Sequence, residues 1–424
     1  MHDQTPLDEL SFLDPGVQEC PFPVYERLHR EAPVFFDRRA GFYVVTRYED
    51  IRRILLDPVR FSSGRTVERM RETVDPERTR RARELYESEG WVPTPTLSLM
   101  DNPRHRAVRA LFNNALRAKK IMEIDPFVAK TAADLVDAFV ADGRCEIVQA
   151  LCVPLPLIVI CSQVGVPIDD IWMIKRWTDA WVKRFSMMQT PEEEAESIRQ
   201  EIAFQHYFVD IVEDLRRQPN DSILSDLVNT RFEDGTTLGH AEIASHLISD
   251  IFVGGSETAT NALSEGVLLL CQNPDQYTLL MSNPGRHLPA LIEETLRLQS
   301  PVQGLYRVTT CEVELGGVTI PARALVHVRF GAANRDASRF ACPAAFDLER
   351  ANSGSHLAFG SGLHACVGAP LARRELYRGF QALLRRCHNI RLAPGRNDFR
   401  HMPGLMLRAL RELHIEFDPA PVTA

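Results

Sequence analysis

Phe359-Gly-Ser-Gly-Leu-His-Ala-Cys366-Val-Gly368 sets glycines 360, 362 and 368 around one cysteine, just ahead of a segment, Val367 to about Arg386, whose pattern predicts a helix. Unpaired N–H groups at a helix N-terminus stabilise a thiolate, so Cys366 is expected to be the most acidic thiol of the chain. Glycine lets the backbone turn tightly and lets a flat ligand come close. Two other readings of the loop are weak. A zinc site would need further ligands at usable spacing beside His364 and Cys366, and a phosphate loop would carry a Lys-Ser/Thr pair that is absent here. The other cysteines (20, 145, 152, 161, 271, 311, 342 and 387) form no C-x-x-C and no regular framework, and the odd total of 9 argues against a complete disulfide set. They read mostly as buried apolar fillers.

Around this loop lies a chain of 424 residues, 45% hydrophobic and 25% charged, enough to bury a large core and incompatible with a disordered or fibrous protein. A net charge of -8 and the lack of a long Lys/Arg block exclude general attraction to nucleic acid. The longest apolar stretch, Leu151 to Cys161, is about half a bilayer span and holds Pro154 and Pro156, while the start Met1-His-Asp-Gln-Thr-Pro lacks a signal-peptide core. The expectation is a soluble cytoplasmic protein that binds no membrane. With no repeat and no Gly/Ser/Pro linker, residues 1–424 read as one large domain.

The pattern is mainly α with small β-sheets. A helix and short strands through Gly41-Phe-Tyr-Val-Val-Thr-Arg47 come first. Asp101-Asn-Pro103 then reads as a helix start for Arg104 to Leu116, and further helices fit Asp125 to Asp142, Glu192 to Gln218, Ala241 to Cys271 and Leu288 to Leu298. Beyond Pro301, Val313-Glu-Leu315 and Val318-Thr-Ile320 flank Gly316-Gly317 as a hairpin, and Leu325 to Val328 and Leu413 to Phe417 read as strands. Residues 62 to 98, with an arginine-rich run and Trp91-Val-Pro-Thr-Pro-Thr, and residues 333 to 363 read as long loops.

The decapeptide resembles the haem-binding signature of the cytochrome P450 family, Phe-x-x-Gly-x-His/Arg-x-Cys-x-Gly, and more of the family's features follow in the expected order. The resemblance implies that Cys366 is the thiolate ligand of haem b, with Phe359 packed beside it, and that the thiolate pushes electron density toward bound oxygen. Glu294-Thr-Leu-Arg297, on its own an ordinary surface pair, is similar together with Arg350 of Phe346-Asp-Leu-Glu-Arg350 to the family's Glu-Arg-Arg cluster, which supports the fold beneath the haem. Asn334-Arg-Asp336, with Phe340 and Pro343, resembles the segment before that second arginine. His105 and Arg109, one helical turn apart, look like the family's haem-propionate ligands, with Arg307 and His364 as further donors.

Paired glycines in mid-helix each cost about 1 kcal/mol relative to alanine, so Gly254-Gly255 within Phe252-Val-Gly-Gly-Ser-Glu-Thr258-Ala calls for a reason. One is a close helix crossing. The resemblance implies another, the family's oxygen-binding groove, in which these glycines make room for haem and oxygen while Glu257 and Thr258 deliver protons. Ala259 departs from the family, where a second threonine is common.

What the resemblance implies is a haem-dependent monooxygenase that inserts one atom of O2 into a small, largely apolar molecule by hydroxylation or epoxidation. No dinucleotide fingerprint and no iron-sulfur spacing occurs, so a separate ferredoxin and its NAD(P)H-linked reductase are expected to supply electrons. A peroxide-using or isomerase member of the family would keep Cys366 without needing Thr258, and a haem sensor would need an output module that is not visible. Arg104, Arg106, Arg373 and Arg374 are expected to form a basic docking surface for an acidic ferredoxin. The pocket is expected to involve Asp250, Val253, Val302, Gln303, Leu405 and Met406, residues 62 to 98 and the helices near 170 to 190. Asp250, Gly254 and Thr258 are spaced four apart and so nearly share a helix face; Asp250 is expected to meet a pocket cation, Gln303 or a donor on the substrate, the alternative being that the four-residue drift of about 40° turns it toward a neighbouring helix and a structural partner.

Overall fold

The computed structural model describes residues 5–73, 76–184 and 189–420. Short strands build one mixed sheet in which Val34–Asp37, Phe42–Val45, Leu325–Val328, Leu305–Thr309 and Phe61–Ser62 lie in that order. Only the pairing of Phe42–Val45 with Leu325–Val328 is parallel. Arg144–Glu146, His414–Pro419 and Cys387–Leu392 form a second sheet, and the expected hairpin Val313–Leu315/Val318–Ile320 a third. Everything else of size is helical.

The helix Pro191–Arg217 begins at a capping box: Thr190 Oγ1 accepts from the Glu193 N–H at 3.2 Å and the Glu193 carboxylate accepts from the Thr190 N–H at 2.8 Å. His240–His246 runs into a π-helical stretch, Leu247–Glu257, and on through Thr258–Gln272, one continuous path called here the central helix. Its second half is buried along its whole length, from Ala259 to Leu270. On one side it packs against the core formed with Ala118–Asp137, Pro284–Gln299 and Ala369–Arg386; its first half belongs to a second core that includes Phe112, Phe204 and Phe208. The Gly254-Gly255 pair sits at the junction.

Three sequence expectations are corrected. The helix read from Asp125 starts at Ala118 and ends at Asp137, with Pro126 inside it. Packing along Ala369–Arg386 carries the helix through the proline, and Asp125 accepts from Arg378 Nε at 2.9 Å instead of opening a helix. Asp101 does not cap Arg104–Ala115 either, because its carboxylate accepts from the Ser63 N–H at 3.0 Å. Residues 62 to 98 are not a loop: Thr66–Thr73 and Pro76–Glu89 are helices. The arginine-rich run has no broad apolar stripe, but Arg80 pairs with Glu77 and Glu84 and Arg83 with Glu87 at helical spacing. Tyr86 then anchors this helix on Ile198 and Ile202. The second expected loop does hold little regular structure, with one short 3₁₀ turn at Ser353–Ser355 and another at Gly362–His364.

Candidate active site

The cysteine loop is built by its glycines. Gly360 and Gly362 have φ of +67° and +69°, and a Cβ at Gly362 would come within 2.6 Å of the Leu55 carbonyl oxygen, so two features exclude a side chain there. The loop closes on itself where the Cys366 N–H donates to the Phe359 carbonyl at 2.9 Å. The following helix starts at Ala369, slightly later than expected. Cys366 faces a cavity of about 860 Å³ yet stands deep in the molecule, and burial pushes its thiol up; the N–H groups of Gly368 and Ala369 and the charges of Arg109 and Arg373 oppose that. In the free thiol, desolvation thus outweighs the N–H groups and both arginines that were expected to make Cys366 acidic.

The same cavity is lined by Gly254, Gly255, Glu257 and Thr258 of the central helix, by Arg109, Arg307 and His364, and by Phe359 and Gly368. Arg307 is buried, its Nη1 donating only to the Tyr306 carbonyl at 2.7 Å, and burial pushes it down to about 10. Arg109 donates to the Ala365 carbonyl at 2.6 Å. Neither arginine pairs with a carboxylate among the described residues. His105 stands behind His364 with ring centroids 4.3 Å apart, and all four ring nitrogens are buried without a partner. Burial and the nearby cations lower both rings, His364 to about 3. Orphaned imidazole nitrogens beside two carboxylate-free guanidinium groups are a preformed site for anionic oxygens.

On the central helix, the Thr258 hydroxyl donates to the Gly254 carbonyl at 3.0 Å. Glu257 turns away from it, with Oε1 3.2 Å from Lys175 Nζ and 3.5 Å from Thr178 Oγ1 on the helix Ile171–Arg184. Burial pushes the Glu257 carboxyl up and Lys175 opposes it. Lys175 and Asp179 also line the cavity, within the helices near 170 to 190 that were expected to shape the pocket, although neither residue was singled out from the sequence.

Beneath the loop, Glu294 accepts from Arg297 Nε and Nη2, each at 2.7 Å, and from Arg350 Nε at 2.9 Å, with Glu294 and Arg297 wholly buried. Arg297 Nη1 continues to the carbonyls of Asn334 and Pro343 at 2.8 Å. The expected cluster is present.

Other expectations change. Val253, Val302, Leu405 and Met406 line the cavity, but Gln303 does not: its Nε2 donates to the Gln299 and Ser300 carbonyls at 2.7 Å and its Oε1 accepts from the Tyr25 hydroxyl at 2.8 Å. Asp250 reaches the cavity wall, yet its partners are neither a pocket cation nor Gln303. Oδ2 meets His246 Nδ1 at 2.7 Å and the Leu97 N–H at 3.0 Å, so the chain itself satisfies the carboxylate. Nor do the arginines form a free basic surface. Arg104 pairs with Glu242 at 2.5 Å, Arg373 with Glu293 at 2.6 Å and Arg374 with Asp125 at 3.6 Å; Arg106 stays exposed. Arg373 also covers the Phe359 ring at 4.6 Å. Residues 185–188, part of the expected pocket region, lie outside the described residues.

A family model described as Cytochrome P450 matches residues 286–410. Cytochrome P450 107B1 of Saccharopolyspora erythraea is 33% identical, covering 92% of this chain and 93% of that protein. The chain belongs to the cytochrome P450 family. It is also 32% identical to the cytochrome P450 monooxygenase PikC of Streptomyces venezuelae, over 97% of this chain and 94% of that one. The solved P450 CYP109Q5 from Chondromyces apiculatus superposes with a TM-score of 0.83 at 28% identity, covering 98% of this chain and 100% of its own. The fold is thus the mainly helical P450 fold with small sheets. The protein is a haem-dependent monooxygenase, its cofactor haem b, and P450 chemistry draws on O2 and on redox partner proteins. The residues present fit that cofactor: a cavity-facing thiol on one wall, and orphaned imidazoles with guanidinium groups that lack a carboxylate partner among the described residues, where two carboxylates need partners. No helix among the described residues is long and apolar enough to cross a membrane.

Proposed function

We propose that residues 1–424 form one cytoplasmic monooxygenase domain that hydroxylates or epoxidises a small, largely apolar molecule with electrons from a separate ferredoxin and its NAD(P)H-linked reductase. One observation carries the reading: a single cavity is lined at once by Cys366, by Arg109, Arg307 and His364, and by Gly254, Gly255 and Thr258.

When bound, haem b supplies the activation of O2 with two electrons and two protons and the transfer of one oxygen atom to the substrate. Cys366 is the residue that would hold the iron, as a thiolate. Arg109, Arg307 and His364 would hold the propionates, with His105 behind His364, since buried carboxylates need paired cations and donors. Phe359 and Gly368 frame the ligand loop. Gly254 and Gly255 keep side chains out of the space beside Thr258, whose hydroxyl holds a proton at Oγ1. Glu257 is turned to Lys175 and away from Thr258, so its part would be to hold a proton, favoured by burial, as the neighbouring acid of the pair and not to donate directly to Oγ1. Leu97, Val253, Val302, Leu405 and Met406 supply an apolar wall that orients substrate and excludes water.

The test has two parts. The reduced protein with carbon monoxide should show the red-shifted Soret band of thiolate-ligated haem, and NADH with a surrogate ferredoxin and reductase should give substrate-dependent product from a hit in a lipophilic library. Absence of the band overturns the ligand assignment; turnover with peroxide but not with NADH and redox partners makes the protein a peroxygenase.

A further inference from the structure

After the helix Pro76–Glu89 the chain runs to the cavity wall and is tied down on the way. Upstream, Gln205 takes both backbone groups of Trp91, Oε1 accepting the N–H at 2.9 Å and Nε2 donating to the carbonyl at 2.8 Å. Downstream, the central helix takes the segment. Ser245 Oγ accepts from the Thr94 N–H at 3.0 Å, Ser249 Oγ lies 3.4 Å from Thr96 Oγ1, and Asp250 Oδ2 accepts from the Leu97 N–H at 3.0 Å. The last is the strongest of these ties, a carboxylate receiving a backbone N–H. His246, buried and edge-on to the Phe112 ring, fixes the carboxylate by donating from Nδ1 to the same oxygen at 2.7 Å.

This bond joins the two sides of the cavity. Leu97 and Ser98 line it from the tied segment; Val253, Gly254 and Thr258 line it from the helix that carries Asp250. An apolar substrate makes few directional bonds, so the shape of the wall sets its orientation. We propose that Asp250 is a positioning residue for specificity: by holding the Leu97 N–H it sets the Leu97–Ser98 wall against Gly254 and Thr258, and so selects which substrate carbon is presented for oxidation. An aliphatic residue at 250 leaves the Leu97 N–H without its acceptor, and the wall shifts to find water. The proposal rests on the reading of this cavity as the haem and substrate site.

Holoenzyme carrying Asp250→Asn or Asp250→Leu is compared with the parent by spectral titration with 4-phenylimidazole and with imidazole. Both azoles ligate haem iron, but only the phenyl group meets the wall. Asp250→Leu should change the ratio of the two affinities by about tenfold or more, as displacement of positioning groups by an ångström does, whereas Asp250→Asn, which keeps an acceptor in place, should stay within about threefold of the parent. An unchanged ratio in Asp250→Leu overturns the proposal, and so does an Asn variant no better than Leu. A merely structural role would lower thermal stability and weaken both azoles together. Should Asp250→Leu fail to hold haem, Asp250→Ala removes the same acceptor with a smaller side chain and leaves Leu97 itself intact, and it must change the ratio in the same direction. If the parent protein gives no azole spectrum at all, the reading of the cavity fails, not the role of Asp250.

Discussion

Glu257 and Lys175 face one another between the central helix and the helix Ile171–Arg184, Oε1 to Nζ 3.2 Å, while the next residue, Thr258, keeps its hydroxyl on the Gly254 carbonyl. Two neighbours in sequence thus look to different sides. Burial raises the Glu257 carboxyl and Lys175 draws it back down. In Lys175→Met, burial and the Asp179 charge are opposed only by the Thr178 hydroxyl, so Glu257 should keep its proton to higher pH. The pH profile of NADH-to-product coupling should then shift its carboxylate limb upward relative to the parent. A profile that does not move separates Glu257 from proton supply.

Thr258→Ala removes a hydroxyl and leaves a good helix former. Positioned proton donors contribute roughly two to four orders of magnitude to proton transfer, whereas ground-state binding does not use them. Haem content and substrate affinity should stay near the parent values, while NADH oxidation releases peroxide in place of product. Coupling equal to that of the parent takes Thr258 out of the mechanism.

Cys366→Ser replaces a soft thiolate donor with a hydroxyl that is not ionised near neutral pH. The reduced carbon monoxide complex should lose its red-shifted Soret band, read in a single difference spectrum. Retention of that band in the serine variant points to another ligand.

His364 is lowered from an ordinary value near 6.5 to about 3, chiefly by burial, with Arg307 and His105 adding to it. The unfolded chain therefore binds more protons than the haem-free fold between these values, and stability should fall as pH drops through that window. His364→Asn should flatten the acid side of the urea-midpoint profile of haem-free protein. Haem loading should flatten it too, because carboxylates beside the ring favour its protonated form. An acid limb identical in parent and variant assigns the loss elsewhere.

Glu294→Ala would strand Arg297, whose side chain is wholly buried, and breaking such a pair costs about 3–5 kcal/mol. Denaturant unfolding should show a loss of that size together with weaker haem retention. The exposed pair Arg83–Glu87 is the contrast: Arg83→Ala should change stability by less than about 1 kcal/mol.

Much of the site was legible because its parts are local. The glycine spacing around Cys366, Gly254-Gly255 before Thr258, and the i,i+3 pair Glu294/Arg297 are each set within a few residues, where backbone geometry leaves little choice. The hairpin at Gly316-Gly317 was readable for the same reason. Residues 76 to 89 failed this test: with no apolar stripe along the run, their helix depends on charge pairs at helical spacing and on Ile198 and Ile202 more than 100 positions away.

The sequence alone determined the family, the glycine-flanked Cys366 loop, the Glu294–Arg297–Arg350 cluster and the paired glycines of the central helix. Tertiary structure alone decided distant partners of the polar groups: Asp250 turned to the Leu97 N–H, Glu257 to Lys175, Gln303 to Tyr25, Arg373 to Glu293. The physical reason is reach. Backbone conformation is dictated by neighbours along the chain, but a buried charge must find an opposite charge or a donor, and folding brings that partner from any distance in sequence.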